Sequence, residues 1–259
     1  MCGDTKPLYS VLSYIIGDYE KVHEIKEKSP NAEYILVSDN KSLTSSTWNV
    51  VYVDNPHPED NFDLCYKIRF NPFDYVHTDV VVRIDGSMGI NKSLDPIVDF
   101  FNNGFDMAVC IHPTRANLYD EYIAWITQRG YDPRQAEWVL NFLQGMEGYN
   151  VKKDIGLYQY NFMIQRRNKL NMALNSMTLS FLRYLAPEGK EIERVDQTVG
   201  SFVINKYFPM MKIMPVDQSL FDGRYFTWYQ HNSDNAMTCG AGMGKPMMLG
   251  HEITTMTFD

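Results

Sequence analysis

An acidic turn, Asp85-Gly86-Ser87, closes a segment that begins with three consecutive valines at residues 80–82. Valine-rich strands are typical of the buried strands of α/β sheets, and ligands of open α/β sheets bind outside the carboxyl ends of the strands. Asp85 is therefore the leading candidate ligand for Mg²⁺ or Mn²⁺, because a hard cation needs one or two carboxylates when substrate phosphates complete its shell. The same composition also fits an ordinary turn at the end of a strand.

A charged side chain, Arg83, interrupts the same apolar segment. A buried guanidinium is unfavourable unless it finds an acidic or phosphate partner, or unless its side chain reaches the edge of the sheet. We therefore expect Arg83 to help bind an anionic group beside Asp85.

Polar side chains also follow two other predicted strands. Asp39 comes after one of them, and His112 and Arg115 come after another. In a doubly wound sheet these side chains meet Asp85 at one edge, and a pocket with carboxylates, a cation and aromatic rings suits a sugar or a nucleotide diphosphate. The alternative for residues 112–115 is a solvated loop.

Acidic residues near two predicted helix starts are further candidates. Glu121 lies in the first turn of the helix predicted at residues 118–128, and Asp196 with Gln197 lies where a helix is predicted to begin. A carboxylate at either place could act as a general base. Acids in a first helical turn also interact favourably with the helix dipole, and Asp196 also fits the role of an ordinary N-cap.

An aromatic run at residues 225–231 ends at His231. This histidine is a candidate second metal ligand, and the alternative is a hydrogen-bonded surface histidine. The rings of Trp228 and Tyr229 could stack on a sugar or a base, although packing in the core is their usual role.

The composition of the 259-residue chain is that of one globular domain, with 44% hydrophobic and 22% charged residues. A net charge of −8 argues against a nucleic-acid partner, which would need clustered Lys and Arg. The amino terminus lacks the apolar stretch of a signal peptide, and no apolar run reaches the ~20 residues that span a bilayer. We therefore expect a cytoplasmic protein without a transmembrane segment, and peripheral association with a membrane stays open.

Strand, loop and helix patterns alternate in the first half of the chain and predict an α/β fold with a mainly parallel sheet flanked by helices. One of the expected helices covers residues 19–28, which are rich in Glu and Lys. The second half is more helical. Near the end, the Gly- and Met-rich residues 237–250 predict a mobile loop or lid.

Taken in order, these pieces resemble a glycosyltransferase-like family catalogued as domain of unknown function 616. The residues that carry the resemblance are 14–19, 34–39 with Trp48, 66–68, 82–86, 111–115, 119–121, 160–164 with Arg166, and 194–197. The resemblance implies a GT-A-like, Rossmann-related fold. It also implies transfer of a sugar from a nucleotide diphosphate sugar, with a UDP-sugar favoured, to a glycan or other hydroxyl acceptor in polysaccharide or surface-glycan synthesis.

On this interpretation residues 8–115 form a nucleotide-binding half, residues 116–235 an acceptor-side half, and residues 236–259 a flexible tail of the same domain. The expected donor-binding residues are Asp39, Arg83, Asp85, Arg115 and Gln197, the expected catalytic residues are Asp196, Glu121 and His112, and the expected metal ligands are Asp85 and His231. The chain departs from the acidic Asp-x-Asp motif usual in such folds, since Asp85-Gly86-Ser87 supplies one carboxylate where two are common.

Two other functions are compatible with the same fold. A sugar nucleotidyltransferase would need a basic, glycine-rich phosphate loop early in the chain, and the corresponding residues 17–20 are acidic. A non-catalytic module that binds nucleotide sugars or carbohydrates is the other alternative, and the single carboxylate of the Asp85 motif favours it.

Overall fold

The computed structural model describes residues 7–59, 61–129, 132–146, 149–153, 156–185, 195–216 and 218–231. The strands in these residues are β1 (Tyr9–Ile15), β2 (Ala32–Ser38), β3 (Asn49–Tyr52), β4 (Val80–Ile84), β5 (Met88–Ile90), β6 (Met107–Ile111), β7 (Tyr158–Arg166), β8 (Ile213–Val216) and β9 (Phe226–Trp228). The helices are α1 (Asn61–Phe70), α2 (Asp95–Phe101), α3 (Leu118–Arg129), α4 (Pro133–Gln144), α5 (Lys169–Leu185) and α6 (Val195–Tyr207).

Seven strands form the central sheet, in the order β3-β2-β1-β4-β7-β6-β8. The strands β1 to β4 run parallel, and β8 runs parallel to β6. The strand β7 is antiparallel to both of its neighbours, β4 and β6. The mixed, mainly parallel sheet flanked by helices that the sequence predicts is confirmed. A separate two-stranded sheet pairs β5 with β9.

The inner strands β1 and β4 are buried on both faces, as expected for a sheet covered by helices, whereas the edge strand β3 is partly exposed. All seven residues of β1 are buried, and their side chains alternate between the two faces. Val11 and Ile15 pack with the apolar side of α2, whereas Leu12 and Tyr14 pack with Ile68 of α1. The helices α3 to α6 cover the neighbouring part of the α1 face, over β6 and β7.

The prediction of a helix at residues 19–28 is wrong, because this segment has no helical structure. Its backbone groups bond to other parts of the chain instead: the Ile25 N–H donates to Thr47 Oγ1 at 3.0 Å, and the Lys26 N–H donates to the Ile90 carbonyl at 2.9 Å. The Ile25 side chain is buried. Tertiary contacts therefore override the helix propensity of its Glu and Lys residues.

The tail expected at residues 236–259, with its Gly- and Met-rich segment, lies outside the described residues, as does Arg194 of the last resemblance motif. Within the described part of the chain, no helix is long and apolar enough to cross a membrane.

Candidate active site

A cavity of about 590 Å³ lies at the carboxyl ends of β1 and β4. These are the positions where ligands of α/β sheets collect. Aromatic rings, two carboxylates, two guanidinium groups and several amides line it, from the residues Tyr14, Ile16, Tyr19, Asn61, Phe62, Cys65, Tyr66, Arg69, Asp85, Ser87, Arg115, Gln159, Tyr160, Asn161, Asp196, Gln197, Trp228 and His231.

One side of helix α1 forms a wall of this cavity. Phe62, Cys65, Tyr66 and Arg69 follow the spacing i, i+3, i+4 and i+7, which puts them on one helical face. The last of them, Arg69, sits one turn beyond Tyr66 and brings a positive charge into a mostly apolar stripe. Arg69 is the principal site residue that the sequence analysis missed, and its charge within this stripe was the signal available.

The guanidinium of Arg69 joins two of the predicted acidic residues. It donates to Asp85 Oδ1 at 2.8 Å and forms an ion pair with Asp196 Oδ2. Its Nε donates to the Tyr14 hydroxyl at 2.7 Å. Asp85 follows β4 and Asp196 lies in the first turn of α6, so one planar cation holds together side chains from distant parts of the chain.

Two arginines with opposite shifts of pKa lie next to each other here. Burial disfavours the charged form of Arg69, but the neighbouring Tyr14 hydroxyl and Asp85 carboxylate raise its pKa above the ordinary value. Burial and the nearby Arg69 charge lower the pKa of Arg83 to about 10. Arg83 is 1% exposed, donates to the Tyr160 carbonyl at 2.8 Å and lies 3.8 Å from Asp85 Oδ1. Arg83 is not among the residues that line the cavity, so its expected role in donor binding stays a prediction.

The start of α6 is packed closely against the cavity. Asp196 is 4% exposed, and Gln197 lines the cavity beside it. Three residues later, Gly200 leaves room for Tyr160, because a Cβ at this position would overlap the Tyr160 hydroxyl and ring. This close approach fixes where the Tyr160 ring lies at the cavity wall.

Asp39 lies at the carboxyl end of β2, just outside the residues that line the cavity. Its carboxylate accepts from the Gly17 N–H at 2.9 Å and from Asn55 Nδ2 at 3.0 Å. The Asn55 amide also donates to Asn61 Oδ1 at 2.9 Å, and Asn61 does line the cavity. Asp39 is thus joined to the β1 side of the cavity through Asn55.

His112 and Glu121 lie behind Arg115 and not in the cavity wall. Glu121 is fully buried, receives a hydrogen bond from Trp125 Nε1 at 3.0 Å and lies 2.7 Å from Arg115 Nε. The Arg115 guanidinium also lies 2.6 Å from His112 Nε2. These contacts hold Arg115, which lines the cavity.

His231 lines the cavity at its β9 side. Its Nδ1 lies 3.2 Å from Glu20 Oε2, and the ring meets Tyr19 edge-on with centroids 5.5 Å apart. The Glu20 carboxylate is buried and also lies 3.4 Å from His23 Nε2. The sequence pattern does not indicate Glu20 as a partner for His231, because 210 residues separate the two.

The predicted metal ligands, Asp85 and His231, line one cavity but contact different partners. Asp85 is paired with Arg69, as is the nearby Asp196, and His231 faces Glu20. Across the residues that the structure describes, no group of three His, Cys, Asp or Glu side chains could hold a metal ion without ligands from a bound substrate. As arranged here, the carboxylates fit a guanidinium and do not fit a divalent cation.

No protein-family model matches this chain, and no curated protein does. The resemblance to the domain of unknown function 616 therefore stays a prediction. Among solved structures, the chain is similar to the apo form of mouse xyloside xylosyltransferase 1, with 10% sequence identity, a TM-score of 0.46, and coverage of 81% of this chain and 85% of that chain. At this level of identity a likeness concerns architecture alone.

Proposed function

We propose that this chain is a GT-A-like glycosyltransferase that moves a sugar from a nucleotide diphosphate sugar to a hydroxyl group of a glycan acceptor. The observation that carries the proposal is the joining of Asp85 and Asp196 by Arg69 inside a cavity walled by aromatic rings and amides. Guanidinium groups bind phosphates. Sugar hydroxyls are bound by carboxylates and amides, and sugar rings and bases are bound by aromatic faces. A UDP-sugar is the favoured donor, as the resemblance implies.

The sheet edge suggests how such a donor would lie. Asp39 with Asn61 would bind the nucleoside at the β1 and β2 side, and Asp85 would accept hydrogen bonds from ribose hydroxyls. Arg69 and Arg115 would contact the diphosphate. Glu121 and His112, which hold Arg115, act on this proposal as positioning residues.

The transfer step requires one bond to break and one to form. The bond between the anomeric carbon and the diphosphate oxygen breaks, and the electron pair leaves with the diphosphate. The acceptor oxygen bonds to the anomeric carbon, and its proton goes to the Asp196 carboxylate. The positive charges of Arg69 and Arg115 stabilise the charge that develops on the diphosphate.

A second candidate is a module that binds a nucleotide sugar without turning it over. The observation that favours it is the ion pair between Arg69 and Asp196, which engages the carboxylate that would otherwise accept a proton. The two candidates differ in turnover and not in binding.

The test combines thermal unfolding with an assay of UDP release. Wild-type protein is mixed with UDP, GDP and a panel of UDP-hexoses and UDP-pentoses, each with MnCl₂ and with EDTA, because a ligand that binds the folded state raises the unfolding temperature. A shift with one UDP-sugar, together with UDP release when an oligosaccharide acceptor is added, supports the transferase. A higher unfolding temperature without UDP release, whichever acceptor is added, supports the binding module. An unfolding temperature that no nucleotide changes rejects both candidate functions.

The variant Asp196→Asn separates binding from transfer. We expect UDP release to fall at least about 100-fold, as for loss of a general base, while the affinity for UDP changes less than about threefold. Asp222→Asn is the matched control, since the exposed Asp222 pairs with Arg224 outside the cavity. Full UDP release by Asp196→Asn would exclude Asp196 as the base.

A further inference from the structure

The side chain of Asn161 is a buried amide whose hydrogen-bonding groups have no counterpart in the described part of the chain. The residue is 6% exposed, and neither Oδ1 nor Nδ2 has a hydrogen-bond partner there. Leaving a donor or acceptor buried and unpaired is unfavourable. Asn161 lines the cavity, so a ligand bound there could satisfy both atoms.

An irregularity in β7 sets the position of this amide. Val109 of β6 pairs with Met163 of β7, but the next residue, Cys110, pairs with Gln159. A regular antiparallel ladder would pair Cys110 with residue 162, so residues 160–162 form an insertion relative to β6. Bulges of this kind re-aim side chains and are frequent beside active sites.

On its other side the bulged segment is held firmly against β4. Ile84 pairs with Phe162, and the Asp85 N–H donates to the Asn161 carbonyl at 2.9 Å. The backbone of Asn161 is therefore fixed directly beside Asp85, while its side-chain amide stays without a partner among the described residues. Backbone hydrogen bonds therefore fix this segment, and the Asn161 side-chain amide is available to bind a ligand.

A second amide nitrogen with the same property belongs to another residue of the cavity lining. Gln197 Nε2 is buried and has no hydrogen-bond partner among the described residues, and Gln197 follows Asp196 on α6. Each amide nitrogen donates, and Asn161 Oδ1 accepts. Neighbouring sugar hydroxyls offer both donors and acceptors, and they match this set.

We propose that Asn161, assisted by Gln197, binds hydroxyl groups of the sugar that is transferred and thereby determines which sugar is accepted. This inference rests on the proposed function. Neighbouring strands lie about 4.8 Å apart, so Asn161 on β7 lies roughly 14 Å across the sheet edge from Asp39 on β2. A donor whose nucleoside lies at the β2 side carries its sugar to the β7 side, next to Asp85 and Asp196.

The experiment compares Asn161→Leu, a variant of similar volume, with the wild type. Isothermal titration measures the affinity for UDP and for the UDP-sugar that shifts the unfolding temperature most. We expect Asn161→Leu to weaken the UDP-sugar about tenfold, as for the loss of two hydrogen bonds, and to leave UDP affinity within about twofold. Gln197→Leu should weaken the UDP-sugar less, because it removes one donor from the pair.

Unfolding without ligand is the second measurement. Because the Asn161 amide has no partner in the described structure, Asn161→Leu should unfold at the same temperature as the wild type or higher. Equal weakening of UDP and the UDP-sugar, weakening of neither, or a lower unfolding temperature would overturn the sugar assignment. Absence of any nucleotide binding by the wild type would instead reject the proposed function, and the sugar assignment with it.

Discussion

Arg69 is the residue on which the geometry of the cavity depends, because it contacts Asp85, Asp196 and the Tyr14 hydroxyl together. Its side chain is 14% exposed, and that of Asp196 is 6% exposed. Removing one partner of a buried ion pair leaves an uncompensated charge behind. Removing Arg69 should therefore lower the free energy of unfolding much more than removing one partner of a surface ion pair.

Replacing Arg69 with Met should lower the free energy of unfolding by about 3 kcal/mol, because two carboxylates lose their cation. Urea denaturation followed by circular dichroism measures the change. Arg183→Met is the matched control: Arg183 is 52% exposed and lies 3.3 Å from Asp63, so its loss should change the free energy by less than about 1 kcal/mol. Similar losses in the two variants would show that Arg69 has no special role.

The sequence identified much of the site at the level of residues. Asp85, Arg115, Asp196, Gln197 and His231 were all singled out and all line the cavity. Asp85 and Arg115 were found because they follow apolar segments, at element ends where sites form. The helix start at Asp196 and Gln197 and the aromatic run before His231 gave the other three.

Arg69 has no such position, since it lies inside a helix where an arginine usually faces solvent. Its partners come from residues 14, 85 and 196, and pairs so distant in sequence cannot be derived without the fold. The unpaired side-chain amide of Asn161 was equally unpredictable from the sequence. Whether an amide lacks a hydrogen-bond partner can be seen only when the positions of all its neighbours are known.

At the scale of elements, the contact between α6 and β7 depends on Gly200. The structure packs the Tyr160 ring where a side chain at position 200 would otherwise lie. Gly200→Ala should therefore force Tyr160 or the helix to move and lower the free energy of unfolding by about 1–3 kcal/mol. It should also weaken ligand binding in the cavity, since Tyr160 and the start of α6 both line it.

Thermal unfolding of Gly200→Ala beside Gly145→Ala provides the comparison. Gly145 ends α4 with a φ of −69°, and a Cβ there would lie 3.3 Å from the Asn141 carbonyl oxygen. Its replacement should change the stability by less than about 1 kcal/mol. If Gly200→Ala unfolds no earlier than Gly145→Ala, Tyr160 adapts without strain.

Strands and helices were predictable where the sequence contains long apolar runs or long stretches of helical spacing. The strands β1, β2, β4 and β6 and the long helices α3, α5 and α6 follow from apolar runs and helical spacing. The strands β5, β8 and β9 were not predicted, because three or four residues are too few for a periodic pattern. The bulge in β7 has no sequence signature of its own.

The whole molecule contains several tyrosines whose burial raises their pKa. Burial raises the pKa of Tyr158 to about 12, and burial also raises the pKa of Tyr9, Tyr14 and Tyr160 above the ordinary value of 10.0. The folded protein therefore keeps these protons at a pH where the unfolded chain releases them. The contribution of these tyrosines to stability is complete below pH 10 and falls as the pH rises above it.

We expect unfolding in alkali above about pH 10, with up to about 1.4 kcal/mol of stability lost per pH unit for each fully buried tyrosine. Arg83 has the opposite effect on stability, because its lowered pKa means that the unfolded state binds more protons than the folded state above about pH 10. It is a single group, however, and several tyrosines oppose it. Tyrosinate absorbance and far-ultraviolet circular dichroism, recorded together against pH, should change in one step for these tyrosines. Their ionisation well before any loss of circular dichroism would contradict the prediction.

The antiparallel strand β7 lies between β4 and β6, although both of those strands precede it in the chain. As the polypeptide leaves the ribosome, β1 to β4 can pair with one another, but the far side of β4 has no neighbour until residues 158–166 have been made. An unpaired, valine-rich strand edge is a template for pairing with other chains. The nascent chain therefore passes through a stage at which the edge of β4 is prone to aggregation, and a fragment ending near residue 115 would stay at that stage.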